Sequence, residues 1–219
     1  GEKIKIYKSY FRNKGLAFSN NSTISFLPFF SLISNFEVEN INVKLLKNFN
    51  LEKIFSKKTF IKKLNSQNNI NFNSKKFTNS SIDNLNLKID LAYGRLFYLK
   101  KISFSKNSST CQGYINLTRE YPILYFDCLL VSFDKKKLMK FFSIKYKNKK
   151  EKLELNVKGN INILNNKINF QKILLNKTYE SNREDLNYFK KTFENILFNK
   201  NFLNIFNSEK IKQFILEIS

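Results

Sequence analysis

Leu153–Ile163 reads LELNVKGNINI, and in it Leu153, Leu155, Val157, Ile161 and Ile163 alternate with Glu154, Asn156, Lys158, Asn160 and Asn162. A period of two held over this length predicts a β-strand with one apolar and one wet face. Strands usually run about five or six residues, so this one carries an unusually long apolar stripe. What covers that stripe decides both the fold and the function.

Upstream, Leu85, Leu87, Ile89 and Leu91 alternate with Asn84, Asn86, Lys88 and Asp90, a second half-buried strand. Leu96–Phe104 after Gly94, then Thr110–Leu117 and Ile123–Phe133, predict further strands. Lys167–Leu175 pairs with the long strand across a turn at Asn165-Asn166, because Asn tolerates the left-handed backbone of a tight turn. Cys111–Leu117 (CQGYINL) and Val157–Ile163 (VKGNINI) both place Gly two residues before an Ile-Asn-apolar triplet. Two copies form a weak repeat. Glycine inside a strand marks a bulge or bend, so the sheet is expected to curve. Asp134 is placed to cap a short helix carrying Leu138, Met139, Phe141 and Phe142, and a basic connection, Lys145–Lys152, follows.

The two flanks read differently. Ile4–Leu46 gives short strands, interrupted where Pro28 precedes Phe29 and Phe30. Phe49–Leu64 changes to a helical period, with Leu51, Ile54, Phe55 and Ile61 on one face and Lys53, Lys57, Lys62 and Lys63 largely elsewhere. After the strands, Ser181 and Glu184 form a capping-box signature, followed by the helical stripe Leu186, Phe189, Phe193, Ile196 and Leu197 and shorter helices at Phe202–Phe206 and Ile211–Ile218. The expected fold is α+β and mainly antiparallel β. It is a curved meander sheet with an apolar concave face, one helix after the N-terminal strands and a helical C-terminal end. The organisation is a single domain: strands and an amphipathic helix in 1–69, the meander in 70–180, helices in 181–219. A start at Gly1 rather than Met suggests excision from a longer chain. No stretch reaches the roughly 20 apolar residues of a membrane span, and no signal peptide is visible.

Composition excludes more chemistry than it offers. The 219 residues carry 39 Lys and Arg against 17 Asp and Glu, a net charge of +22, with no His and no Trp. Abundant Lys, Asn, Ile and Phe is the bias an AT-rich coding sequence imposes, so much of the charge is compositional. Arginine occurs only at Arg12, Arg95, Arg119 and Arg183, whereas phosphate and base recognition recruits its bidentate guanidinium. This argues against a nucleic-acid partner, although lysine pairs interleaved with Phe and Tyr also occur in single-strand binders. Absence of His removes the Ser-His-Asp and Cys-His relays and histidine metal ligands. The five glycines are too scattered for a phosphate loop. Asp90, Asp127 and Glu154 remain as strand carboxylates, and nothing in sequence brings two together as a glycosidase requires. No catalytic residue, metal ligand or cofactor is therefore assigned. Cys111 and Cys128 fall in strands flanking the turn near Arg119–Pro122, on one side of the sheet if Ile115, Leu117, Leu124, Phe126 and Leu130 share it. A disulfide and a pair of buried thiols are both compatible with that placement.

The run LNLKIDLAYGRLFYLKKISFSKNSSTCQGYINLTREYPILYFDCLLVSFD, then LNVKGNINILNNKINFQKILL and the helical NREDLNYFKKTFENILFNKNFLNIF, resembles the C-terminal region of AsmA-like bacterial envelope proteins. The resemblance covers roughly Leu85 to the end and rests on alternating strands and Gly-apolar turns. It implies a non-enzymatic periplasmic module of a protein anchored in the inner membrane by an upstream segment. Such a module would bind or conduct phospholipid in outer-membrane biogenesis and envelope maintenance, with other envelope proteins as partners. Under that reading the acyl chains lie in a groove lined by Leu85, Leu87, Ile89, Ile115 and Leu117, continuing through Leu124, Phe126, Leu130, Leu155, Val157, Ile161 and Ile163. Lys53, Lys57, Lys62 and Lys63 would face an anionic membrane surface. The competing reading makes these apolar residues ordinary core. The alternative function is a basic RNA-associated protein, such as an organellar ribosome component.

Overall fold

A computed structural model of the chain describes residues 2–41, 57–73, 82–147, 151–198 and 207–218. Within them, strands follow one another in chain order in one open, mixed and mostly antiparallel sheet. The N-terminal strands are β1 (Lys3–Arg12), β2 (Leu16–Ser25) and β3 (Ser31–Ile41). A short helix, α1 (Lys58–Lys63), leads into β4 (Asn65–Asn73). Then come β5 (Asn84–Ala92), β6 (Arg95–Phe104), β7 (Asn107–Asn116) and β8 (Ile123–Ser132). Helix α2 (Lys135–Phe141) precedes the hairpin β9 (Leu153–Asn162) and β10 (Lys167–Leu175) and the short β11 (Tyr179–Glu180). Helices α3 (Arg183–Leu197) and α4 (Ser208–Ile218) end the described chain.

The alternating segments become strands as their period requires, and Asn166 adopts the left-handed backbone (φ 51°) at the β9–β10 turn. Asp134 caps α2 by accepting from the backbone N–H groups of Lys136 and Lys137. The sheet is mainly antiparallel, as the sequence predicts, with a parallel pair where β3 and β4 run side by side from Ser31↔Asn65 to Val38↔Phe72. A parallel neighbour demands a crossover, and the segment containing α1 supplies it. The capping box belongs to Asn182 and Asp185, one residue later than Ser181 and Glu184. Ser181 is instead buried, and its N–H donates to the Ile173 carbonyl, which ties it to the sheet. Of the helix expected over Phe49–Leu64, the described part is α1, while Lys53 and Phe202–Phe206 lie outside the described residues.

The chain divides into two compact units, 1–104 with 112–122, and 105–111 with 123–219. The second unit has a closed core. Rings of Phe126 and Phe170 lie 6.4 Å apart, Phe170 and Phe193 5.7 Å, and Phe193 and Phe214 5.4 Å, so α3 stacks edge-on over β10 and α4 packs on α3. Ile168 beneath them is 2% exposed. Glu194 fastens α3 to the start of β10 by accepting from the Ile168 N–H at 3.0 Å and pairing with Lys167 at 2.9 Å. The other ion pairs among the described residues, Lys158–Asp127, Lys172–Glu180 and Lys177–Glu154, lie in the same unit. Cys111 and Cys128, also in this unit, form a disulfide.

Candidate functional site

In the first unit, register places side chains in cross-strand rows. One row runs Phe11, Phe18, Val38, Phe72, Leu85, Ile102; the next runs Phe36, Ile70, Leu87, Lys100. A third runs Ser22, Ser34, Asn68, Ile89, Tyr98, and a fourth Ile24, Leu32, Ser66, Leu91, Leu96. Residues paired across a sheet point to the same side, so these rows share one face. Phe11 stacks on Phe18 and Phe18 meets Phe36 edge-on, each at 5.3 Å.

Both units hold a mixture of buried and half-buried apolar residues. Leu32, Phe36, Val38, Ile70, Leu85, Leu87, Ile89, Leu91, Leu96 and Ile102 are all half-buried. In the second unit Ile161 and Ile163 are buried, and Leu124, Phe126, Leu130, Leu155 and Val157 are half-buried. Ile115 and Leu117, in the first unit, are buried. Of the twelve groove residues named from sequence, Ile115, Leu117, Ile161 and Ile163 are buried. The other eight, Leu85, Leu87, Ile89, Leu124, Phe126, Leu130, Leu155 and Val157, are half-buried.

Polar groups on the shared face are internally satisfied. Ser34, 1% exposed, donates to Asn68 Oδ1 at 2.6 Å, and Asn68 donates to Ser66 and to the Ile89 carbonyl. Lys100 and the Tyr98 hydroxyl have no such partner among the described residues. Among the described residues Lys100 is the one charged side chain in these rows and has no ion pair. Burial pulls its amine below the ordinary lysine value and pushes the hydroxyl of Tyr98, two residues away on the same face, up to about 12. Sequence reasoning missed both. The signal was present in the alternation Leu96, Tyr98, Lys100, Ile102, which carries one cation on an apolar stripe.

The opposite face is wet. Asn86 donates to Asn69 and Asn71, and Asn71 donates to Glu37, an amide ladder crossing β3, β4 and β5. On the polar side of β8 and β9, burial alone would raise the Asp127 carboxyl. Hydrogen bonds from Lys158 and Asn156 together with the Lys158 charge outweigh burial and hold it below its usual range. This acid is a paired surface group with no second carboxylate beside it. The described residues hold no cluster of three or more His, Cys, Asp or Glu suited to a metal ion. None of their helices is long and apolar enough to cross a membrane. The lysines assigned to a membrane surface are exposed where described, at Lys57, Lys62 and Lys63, while Ile61 between them is buried.

No family model, curated protein or solved structure matches this chain.

Proposed function

We propose that the chain is an AsmA-like module that binds or conducts phospholipid, without catalysis, in the periplasm of an envelope protein anchored in the inner membrane by a segment upstream of Gly1. The observation that supports this reading is the set of half-buried apolar rows on β3–β6, where ten large aliphatic and aromatic side chains keep partial access to solvent. On β8 and β9, Leu124, Phe126, Leu130, Leu155 and Val157 are half-buried as well, and on β10 the Phe170 ring meets Phe193 of α3. Acyl chains supply the missing layer at about 0.8 kcal/mol per buried methylene. Curvature of the sheet into an apolar concave face is part of the proposal. It is supported by register shifts that put extra residues in β1, β3 and β10, since bulges bend and twist a strand.

Lys100 fits an anionic headgroup. A lone ammonium on an apolar surface is costly to desolvate, and a phosphate beside it would offset that cost while the chains lie along Leu87 and Ile70. The Cys111–Cys128 bond supports an oxidising compartment such as the periplasm. The test is mass spectrometry of organic extracts from purified protein. Phospholipid is expected above a matched control and is expected to be lost in Leu87→Asp. A clean extract from the wild-type chain overturns the reading.

A further inference from the structure

The connection between β2 and β3 is Phe26-Leu27-Pro28-Phe29-Phe30, and its four large apolar side chains are exposed, Leu27 and Phe29 at 66% and 65%. Phe26 and Phe30 pack edge-on at 6.0 Å, so the two rings close the base of the loop and leave Leu27 and Phe29 at its tip. From Ser25 to Leu32 the segment has no charge. A water-facing connection ordinarily uses small polar residues, and this one does the reverse.

Register shows what shares this end of the first unit. Lys3↔Ser25 and Ser31↔Asn65 bring the start of β1 and the end of α1 beside the loop. Ser66↔Leu91 and Ala92↔Arg95 place the turn at Tyr93 and Gly94 at the same end. The Leu117 N–H donates to the Gly94 carbonyl at 2.9 Å, and a Cβ at Gly94 would lie 3.8 Å from Lys62 Cγ, which adds the segment after β7. Exposed Phe60, Tyr93 and Tyr121 therefore share this end of the unit with the loop. So do exposed Lys3, Lys57, Lys62, Lys63, Arg95 and Arg119, against two acids, Glu2 and Glu120.

We infer that this end of the first unit docks on an anionic bilayer surface, with Leu27 and Phe29 entering the acyl layer. Its composition suits a bilayer surface: an uncharged aliphatic and aromatic loop to enter the acyl layer, tyrosines for the interface and a surplus of exposed cations for the phosphates. An acidic protein groove would complement the cations but would not call for an uncharged, exposed apolar loop at the same end. The docking is independent of lipid held on the β3–β6 rows, because none of its residues belongs to those rows.

The chain has no tryptophan, so Phe29→Trp in the full chain gives a single reporter. With vesicles of phosphatidylcholine and phosphatidylglycerol its emission is expected to move to the blue and to be quenched by bromine-labelled acyl chains. Replacing Leu27 and Phe29 together by Ser is expected to lower co-sedimentation with those vesicles by about tenfold or more, with an unchanged circular dichroism melt. Gln at Lys57, Lys62 and Lys63 is expected to reduce binding toward that seen with pure phosphatidylcholine. Leu87→Asp, which tests the lipid-bearing rows, is expected to leave sedimentation intact. An unshifted tryptophan overturns the inference, as does a double-serine variant that sediments like wild type. So does binding to acidic protein without binding to vesicles.

Discussion

Phe126 lies across Gly159: the two are register partners on β8 and β9, and a Cβ added at Gly159 would stand 2.8 Å from Phe126 Cζ. The same Cβ would collide with the carbonyl oxygen of Asn169 on β10. The ring can shift, whereas the carbonyl belongs to a strand backbone. Gly159→Ala is therefore expected to destabilise the protein by about 1–3 kcal/mol. Urea melts followed by circular dichroism measure this, and a variant as stable as wild type would show that β10 yields freely.

Core and trough separate by the response to a buried charge. Ile161 is buried between Leu124 and Ile168, so Ile161→Asp is expected to cost several kcal/mol, on the order of a marginal domain's whole stability. Leu87 is half-buried beside Lys100, so Leu87→Asp is expected to stay folded while losing co-purifying lipid. Melting curves set beside lipid extracts decide the matter. If Leu87→Asp unfolds as Ile161→Asp does, the rows of the first unit are core as well.

Much of this was legible before any coordinates. Leu85–Leu91 and Leu153–Ile163 declare themselves because a half-buried strand writes its two environments alternately into the sequence. Asp134 and Asn166 are legible for a different reason, since a helix cap and a tight turn each depend on one residue's local chemistry. The parallel β3–β4 pair was not legible, because parallel and antiparallel strands carry the same alternation. Nor was Ser34, which reads as a wet position and is buried because Asn68, 34 residues away, accepts its hydroxyl. The capping box slipped by one residue because Ser181 and Asn182 are comparable caps, and a contact with Ile173 settles the choice. Of the site, the aliphatic residues were visible, but which of them are buried depends on what packs against each strand, and alternation does not encode that.

Tyr98 and Lys100 give opposite dependences on pH. The Tyr98 hydroxyl, near 12 in the folded chain against an ordinary 10.0, keeps its proton where the unfolded chain loses it. Its contribution is complete below pH 10 and is lost as pH rises toward 12. Lys100 is depressed below 10.5, so the folded state bears the cost of its charge at neutral pH and is relieved as pH climbs through the window below 10.5. Lys100→Met is expected to raise stability at neutral pH, with the gain shrinking in that window, and Tyr98→Phe to remove the loss above pH 10. Urea melts across the alkaline range check both, and parallel profiles for wild type and variants would contradict both assignments.

Cys111 and Cys128 close a loop of sequence separation 17. A thiol reagent is expected to find no free thiol in the denatured, unreduced protein. Reduction, or Cys111→Ser with Cys128→Ser, is expected to lower stability by about 3 kcal/mol through the freedom returned to the unfolded chain. Two titratable thiols before reduction would show the bond absent.

The amide ladder of Glu37, Asn71, Asn86 and Asn69 makes the first unit indifferent to counter-ions in a way the second is not. Its wet face is held by amides bonded to one another and to the single carboxylate of Glu37, without a paired cation among the described residues, and every described ion pair belongs to the second unit. Added electrolyte screens exposed charge within about 10 Å at 0.1 M. In a chain of net charge +22, that relieves repulsion among the lysines while the amides keep their bonds. High ionic strength therefore favours the ladder-bearing unit and slightly weakens the clasp between Glu194 and Lys167.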